Sequence, residues 1–220
     1  MPLRSSLAAM GHDSVRRSYD AVAEDYLAGF RDEIAHKPFD RALLAALIER
    51  AEPGTAVADL GCGPGHVAAW LAGNGVPATG IDLSANMVAA ARREFPEVDF
   101  REGDLLDLPA KDGEFGAVVA LYSIIHLEPD ELRPAFREIR RVLRPGGSVL
   151  VAFHIGTEIR HFDDWLGHQV DVDFHFFETR RIIGELNDAG FEVDAQLERR
   201  NHPEEVETRR AYLMARRRDV

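Results

Sequence analysis

Short apolar runs alternate along this chain with segments of helical spacing, and that rhythm predicts an architecture before any residue is given a task. Over residues 14–30 and 38–51 apolar positions recur at helical intervals, with Leu43, Leu44, Leu47 and Ile48 forming a stripe in the second segment. Pro53 and Gly54 break the pattern, and residues 55–60 form an apolar run that ends in glycines, as a buried first strand would. A helix is then predicted from about residue 65, a strand over 78–82, a helix capped by Ser84 and running to residue 94, and a strand over 98–102. Residues 115–121 predict a fourth strand and 130–143 a long helix with Pro134 in its first turn. The segment Arg144-Pro145-Gly146-Gly147 stops that helix before a fifth strand at 148–153. Strands alternating with helices predict an α/β fold, a doubly wound and mostly parallel sheet with helices on both faces.

The last third breaks this rhythm. Residues 155–178 hold two glycines, aromatic patches and many acids, and read as an insertion. Within it Val170, Val172, Phe174 and Phe176 alternate with Asp171, Asp173 and His175 in the manner of a strand. A helix over 179–189 ends at Gly190, and two strands at 192–199 and 211–217 predict a closing C-terminal antiparallel hairpin, for seven strands in all. The expected organisation is one domain: an N-terminal helical cap (1–52), a cofactor-binding core (53–154), a lid insertion (155–178), and a C-terminal helix and hairpin (179–220).

Composition narrows the function. The 220 residues are 45% hydrophobic and 29% charged, enough apolar content for one sizeable core. The net charge of −12 repels polyanions, so neither nucleic acid nor an anionic membrane surface is expected as a partner. One cysteine, Cys62, excludes an intramolecular disulfide. The most apolar stretch, 115–127, is too short to span a bilayer, and residues 1–17 lack the apolar core of a signal peptide; a cytoplasmic protein is expected.

The strongest local signal is Asp59-Leu60-Gly61-Cys62-Gly63-Pro64-Gly65, after one strand and before one helix. Glycines there permit a tight turn whose amides face a polar ligand, although glycine also serves plain turns. The spacing G-x-G-x-G, with His66 in the sixth place, departs from the dinucleotide fingerprint G-x-G-x-x-G/A and disfavours NAD. The next strand ends at Asp82, whose carboxylate can accept both ribose hydroxyls of a nucleoside. The third ends before Asp104-Leu105, where a carboxylate beside a backbone amide can read the adenine N6 amine and N1. Each acid alone is more often a turn or cap residue; suitable groups at three successive strand ends make a site.

These residues resemble the class I S-adenosylmethionine-dependent methyltransferase family over residues 15–217. The resemblance implies the glycine motif at Asp59, Gly61, Cys62 and Gly63, a ribose-binding acid at Asp82 with Leu83 beside it and Met87 packing near the adenine, and an adenine-binding acid at Asp104 with the Leu105 amide. It extends to the tract 120–127, containing Tyr122, and to 143–147 before the fifth strand. Residues 19–26, Tyr19 to Tyr26, are similar to the helical lid that closes over the methionine end of the cofactor in small-molecule members; Tyr26 and Lys37 would hold the methionine carboxylate. The implied cofactor is S-adenosyl-L-methionine, with S-adenosyl-L-homocysteine as product. No Asn/Asp-Pro-Pro-aromatic motif of DNA amine methyltransferases is present, which favours a small-molecule acceptor methylated on O or N, by a monomer or homodimer. The arginine-rich sequence, with only Lys37 and Lys111 as lysines, is reminiscent of bacterial specialised metabolism.

Methyl transfer demands in-line alignment and, for a poor nucleophile, removal of a proton. His126, after the fourth strand, and His154, at the end of the fifth, are the catalytic and substrate-contacting candidates, with Tyr19 and His175 as further substrate contacts. Each histidine could equally be a packed, hydrogen-bonded core residue. His154, His161, His168 and His175 recur every seven residues, but the intervening glycines argue against one helix. The polar side of the strand at 170–176 could face solvent, line the substrate or bind a metal; no metal site is assigned. The insertion's acids weakly favour a neutral or cationic acceptor. An NAD-dependent oxidoreductase and a non-catalytic adenosine-cofactor-binding module are the competing readings.

Overall fold

The computed structural model describes the backbone of residues 3–203 and 205–219, and side chains from residue 11 onward apart from residue 204. Residues 1 and 2 of the expected cap, and 220 of the expected C-terminal segment, lie outside the described residues. Among the described residues nine strands follow in chain order: β1 (Ala56–Leu60), β2 (Ala78–Asp82), β3 (Asp99–Glu102), β4 (Phe115–Leu121), β5 (Leu143–Ile155), β6 (Ile159–Trp165), β7 (His168–His175), β8 (Phe191–Arg199) and β9 (Arg209–Arg217). The helices are α1 (Leu3–Phe30), α2 (Pro38–Arg50), α3 (His66–Gly73), α4 (Ala85–Glu94), α5 (Leu132–Val142) and α6 (Thr179–Asp188).

Seven strands form one sheet in the order β3-β2-β1-β4-β5-β9-β8, while β6 and β7 pair separately. The first five are parallel and β9 runs antiparallel between β5 and β8. Strand alternation decides which layer each residue meets. Val57, Ala117, Val119, Leu150, Ala152, Tyr212 and Met214 pack toward α2 and α3, and their neighbours Ala58, Val118, Val149, Val151, Ala211 and Leu213 pack toward α5 and α6. Buried on both faces, these central strands read as unbroken apolar runs. Helix α5 buries Leu132, Ala135, Phe136, Ile139 and Val142 and turns its arginines outward; each large side chain so removed from water contributes roughly 1.5–3 kcal/mol.

Three details differ from the sequence-based expectation. Helix α1 begins at Leu3, well before residue 14. The segment 144–147 lies within β5 as a bulge, because pairing jumps from Phe115↔Leu143 to Ala117↔Ser148. The insertion contains two strands, an antiparallel hairpin turning at Leu166 and Gly167, where only β7 was expected. Helix α1 lies across this hairpin and α4, burying Val22 and Ala23 against Met87, Val170 and Val172. The chain leaves β1 toward β2 and β3 and returns to β4 on the other side, so a switch point opens at the carboxyl ends of β1 and β4, beneath α1.

Candidate active site

A cavity of about 360 Å³ occupies this switch point, within the size range of small-ligand sites. Its floor is the glycine loop. Gly61 adopts φ +67, and a Cβ there would collide with the Ser123 side chain; Gly63, at φ +54, would direct a Cβ into the cavity toward the Tyr26 ring, 4.0 Å away. Asp59 caps α3 by accepting from the Ala68 amide at 3.1 Å, and burial pushes its carboxyl up to about 7. Cys62 turns its thiol into the core beside Ala68 and Val88 and leaves its backbone to the loop. Burial raises that thiol's pKa well above the ordinary value.

Asp82, at the end of β2, accepts from the Gly63 amide at 2.7 Å and from the Ser84 amide at 2.8 Å, which ties the carboxylate to the glycine loop. Burial pushes it up to about 6, against the pull of those two amides. Asp104, after β3, accepts from the Leu106 amide at 2.8 Å and binds His12 Nδ1 at 2.7 Å. His12 Nε2 faces Glu131 at 3.3 Å, and the Asp104 hydrogen bond leads in raising the imidazole to about 9. Leu83, Ser84, Gly103 and Leu105 complete this end of the cavity.

Past the glycine loop the lining becomes aromatic. Tyr19 and Tyr26 of α1 stand edge-on to Trp165 of the hairpin, at 5.4 and 5.5 Å between ring centres, and Phe174 lies 5.8 Å beyond. His126 Nδ1 donates to the Asp173 carbonyl at 3.2 Å, so in the neutral ring Nε2 is the acceptor, and the Tyr19 hydroxyl donates to it at 2.7 Å. Burial holds that imidazole neutral, with its pKa near 4. Tyr122 takes a strained positive φ of 56 at the end of β4 and shares a 2.9 Å hydrogen bond with the Tyr212 hydroxyl.

The far end is a buried ionic network. Tyr212 donates to Asp40 at 3.1 Å and accepts from Arg199 at 2.7 Å; Arg199 grips Glu205 with two bonds of 2.6 and 2.9 Å. Burial pushes the Glu205 carboxyl up, but Arg199 and the His202 amide outweigh it and bring it down to about 2. Lys37 lies between Glu33 (2.6 Å) and Glu205 (3.4 Å), with its ammonium 5.7 Å from the centre of the Tyr122 ring. Arg210 meets Glu205 at 3.4 Å and donates to the Val206 and Thr208 carbonyls. His154 stacks on Phe176, and its Nδ1 lies 2.9 Å from the Thr208 hydroxyl.

Of the residues singled out in the sequence, Tyr19, Tyr26, Lys37, Asp59, Gly61, Cys62, Gly63, Asp82, Leu83, Asp104, Leu105, Tyr122, His126 and His154 all line this cavity. Two do not. Met87 is fully buried beneath α1, and His175 turns away from the cavity, stacked on Phe177 and 3.8 Å from Glu128. Both were expected near ligand, Met87 by the adenine and His175 by the acceptor, and neither lines the cavity: α1 covers the first, and the second falls at the last position of β7, where alternation turns it behind the wall. The hairpin acids Glu158, Asp163, Asp164, Asp171, Asp173 and Glu178 are exposed, so they carry no charge onto the cavity lining. His161 pairs with Asp173 and His168 with Asp25. Among the described residues no group of three or more His, Cys, Asp or Glu is arranged to hold a metal, and no helix is long and apolar enough to cross a membrane.

His12, Asp40, Arg199, Glu205, Arg210 and Tyr212 are site residues that motif reading missed. His12 had a signal: it stands seven residues before Tyr19, which stands seven before Tyr26, all on one face of α1. The network had none, since Asp40 and Tyr212 meet across 172 positions of chain.

Residues 57–147 match the methyltransferase domain family. The matched segment holds the glycine loop, Asp82 and Asp104, and it ends at the bulge of β5. It is 38% identical over 140 residues to a demethylmenaquinone methyltransferase of Beutenbergia cavernae, covering 64% of this chain and 55% of that protein. It is 34% identical over 155 residues to the methyltransferase GfsG of Streptomyces halstedii, covering 66% and 52%. The chain thus spans little more than half the length of these curated relatives. The methyltransferase fold is also that of the magnesium protoporphyrin IX methyltransferase of Synechocystis, solved with bound S-adenosylmethionine, at a TM-score of 0.71 with 20% identity over 94% of this chain and 97% of that one.

Proposed function

We propose that this methyltransferase domain binds S-adenosyl-L-methionine across its switch point and transfers the methyl group to an oxygen or nitrogen of a small-molecule acceptor. The observation that carries the reading is Asp82, hydrogen-bonded to the glycine loop it faces and sharing one cavity with Asp104 and with two neutral histidines. The residues present fit such a cofactor. Gly63 leaves cavity space where a side chain would stand, and the buried Ser123 hydroxyl has no hydrogen-bond partner among the described residues.

When bound, the cofactor supplies an electrophilic sulfonium methyl group. Asp82 accepts the ribose hydroxyls, Asp104 and the Leu105 amide read the adenine edge, and Tyr26 with Lys37 holds the methionine carboxylate. Tyr19, Trp165 and Phe174 exclude water from the path between cofactor and acceptor. His154, neutral near pH 7, takes the acceptor's proton, while His126, neutral as well, spends its Nε2 on the Tyr19 hydroxyl and holds that side chain at the acceptor path. Helix α1 acts as a lid over this arrangement, and the hairpin as the acceptor wall.

Calorimetric titration with S-adenosylhomocysteine tests the assignment. Asp82→Ala is expected to weaken binding by about 2–4 kcal/mol, since both ribose hydroxyls lose a charged acceptor. Unchanged affinity would remove Asp82 from the site.

A further inference from the structure

The acceptor end of the cavity offers an unusual pair of groups. The Thr208 hydroxyl gives its proton toward the Val206 carbonyl at 3.4 Å, so its oxygen accepts from His154 Nδ1–H at 2.9 Å. In that arrangement Nε2 is the ring's lone pair, with no hydrogen bond among the described residues. Arg210, on β9, lines the same end. Its guanidinium spends donors on the Val206 and Thr208 carbonyls and on Glu205, and its Nε–H and one terminal N–H have no partner among the described residues. Among the described residues the carboxylates of this network are saturated: Glu205 is held by Arg199, Arg210, Lys37 and the His202 amide, and Asp40 by Tyr212 and Arg199. A bound group therefore meets one acceptor and several cationic donors. A carboxylate would set its lone pairs against Nε2, and among the described residues of this network an ammonium would meet saturated carboxylates and Nε2 beside a guanidinium.

We infer that the acceptor is a planar molecule with an acidic hydroxyl of phenol or enol type, seated with that hydroxyl between His154 Nε2 and Arg210 and with its ring toward Trp165 and Phe174. The inference rests on the methyl-transfer reading and names its substrate class. The hydroxyl proton passes to His154 Nε2, and Arg210 holds the oxyanion. An oxygen lone pair then forms the O–CH₃ bond as the S–CH₃ bond breaks with its pair retained on sulfur. The imidazolium returns its proton to water. Thr208 is a positioning residue, since it acts only through the ring it orients.

The test uses 4-nitrophenol, whose coloured anion reports ionisation, with 4-nitroanisole and 4-nitrobenzoate as controls, on the full chain with and without S-adenosylhomocysteine. 4-Nitrophenol is expected to bind about ten-fold or more tighter than either control, and to ionise when bound at a pH about one unit below its free value. Arg210→Met should return that midpoint toward the free value. Thr208→Val should do so in part, with Thr208→Ser restoring it, which covers the case in which Arg210→Met does not fold. Equal or better binding of either control, no binding of 4-nitrophenol, or an unmoved midpoint in folded Thr208→Val would overturn the inference. Loss of S-adenosylhomocysteine binding with the probe result intact would overturn the methyl-transfer reading instead.

Discussion

Asp82 works at a cost that can be measured. Burial holds its carboxyl up at about 6, so it gains a proton within two units of neutrality, and the protonated form has fewer lone pairs to offer ribose hydroxyls. The folded value lies above the ordinary one, so acid favours the proton-bound fold and the ionised form is the strained one. Affinity for S-adenosylhomocysteine should be flat above pH 7 and fall as pH drops through 6, by at most about ten-fold per unit. Asp82→Asn should bind weakly with no such slope between pH 5 and 7; a slope that survives the substitution would assign the titration elsewhere. Asp82 was legible in the sequence because a strand, a glycine loop and an acid at the next strand end form a local pattern. His154 was legible as a candidate, but its partner Thr208 was not, since 54 residues separate them and only the pairing of β5 with β9 joins them.

Helix α1 is fastened to the rest of the protein by polar contacts along its length. Besides His12 and Tyr19, Asp20 accepts from the Ser84 hydroxyl at 2.6 Å and the Asn86 amide at 3.0 Å, which docks the helix on the start of α4. The His12 contact is the one that weakens on the alkaline side. Its folded pKa of about 9 exceeds the ordinary 6.5, so its stabilisation is complete below 6.5 and lost as pH rises through 9. The melting temperature of the native chain should therefore fall across that window by more than that of His12→Gln, as followed by circular dichroism; parallel curves would deny the latch. The helix was readable from its spacing, whereas β6 was not. Its residues are exposed or half-buried on both faces, so it carries no clean period of two. The place of β9 inside the sheet has a sequence trace, the unbroken apolar run 211–215, beside the mixed polarity of β8, which suits an edge.

Across the whole molecule, charge is distributed by position. The acids of the hairpin, with much of the −12 surplus, face outward, while the cavity behind them carries both signs, with Asp59, Asp82 and Asp104 toward one end and Lys37, Arg210 and Glu205 at the other. The overall charge read from composition thus says what the surface repels, and the pattern inside the cavity comes only from the structure. The hairpin itself joins the sheet through a narrow neck: the Phe177 amide donates to the His154 carbonyl at 3.0 Å, just where the chain departs, and the Gly156 amide donates back to the Phe177 carbonyl at 3.4 Å. Replacing residues 157–175 with a short glycine-serine bridge should leave the seven-stranded sheet folded, with far-ultraviolet dichroism near that of the native chain, while opening the cavity and loosening α1, which loses Val170 and Val172 beneath it. Collapse of the sheet in that variant would show the hairpin to be part of the core. A wall attached to the sheet at one neck is a cassette that recombination can exchange whole, and because α1 rests on it, each exchange carries a new seat for that helix along with the new wall.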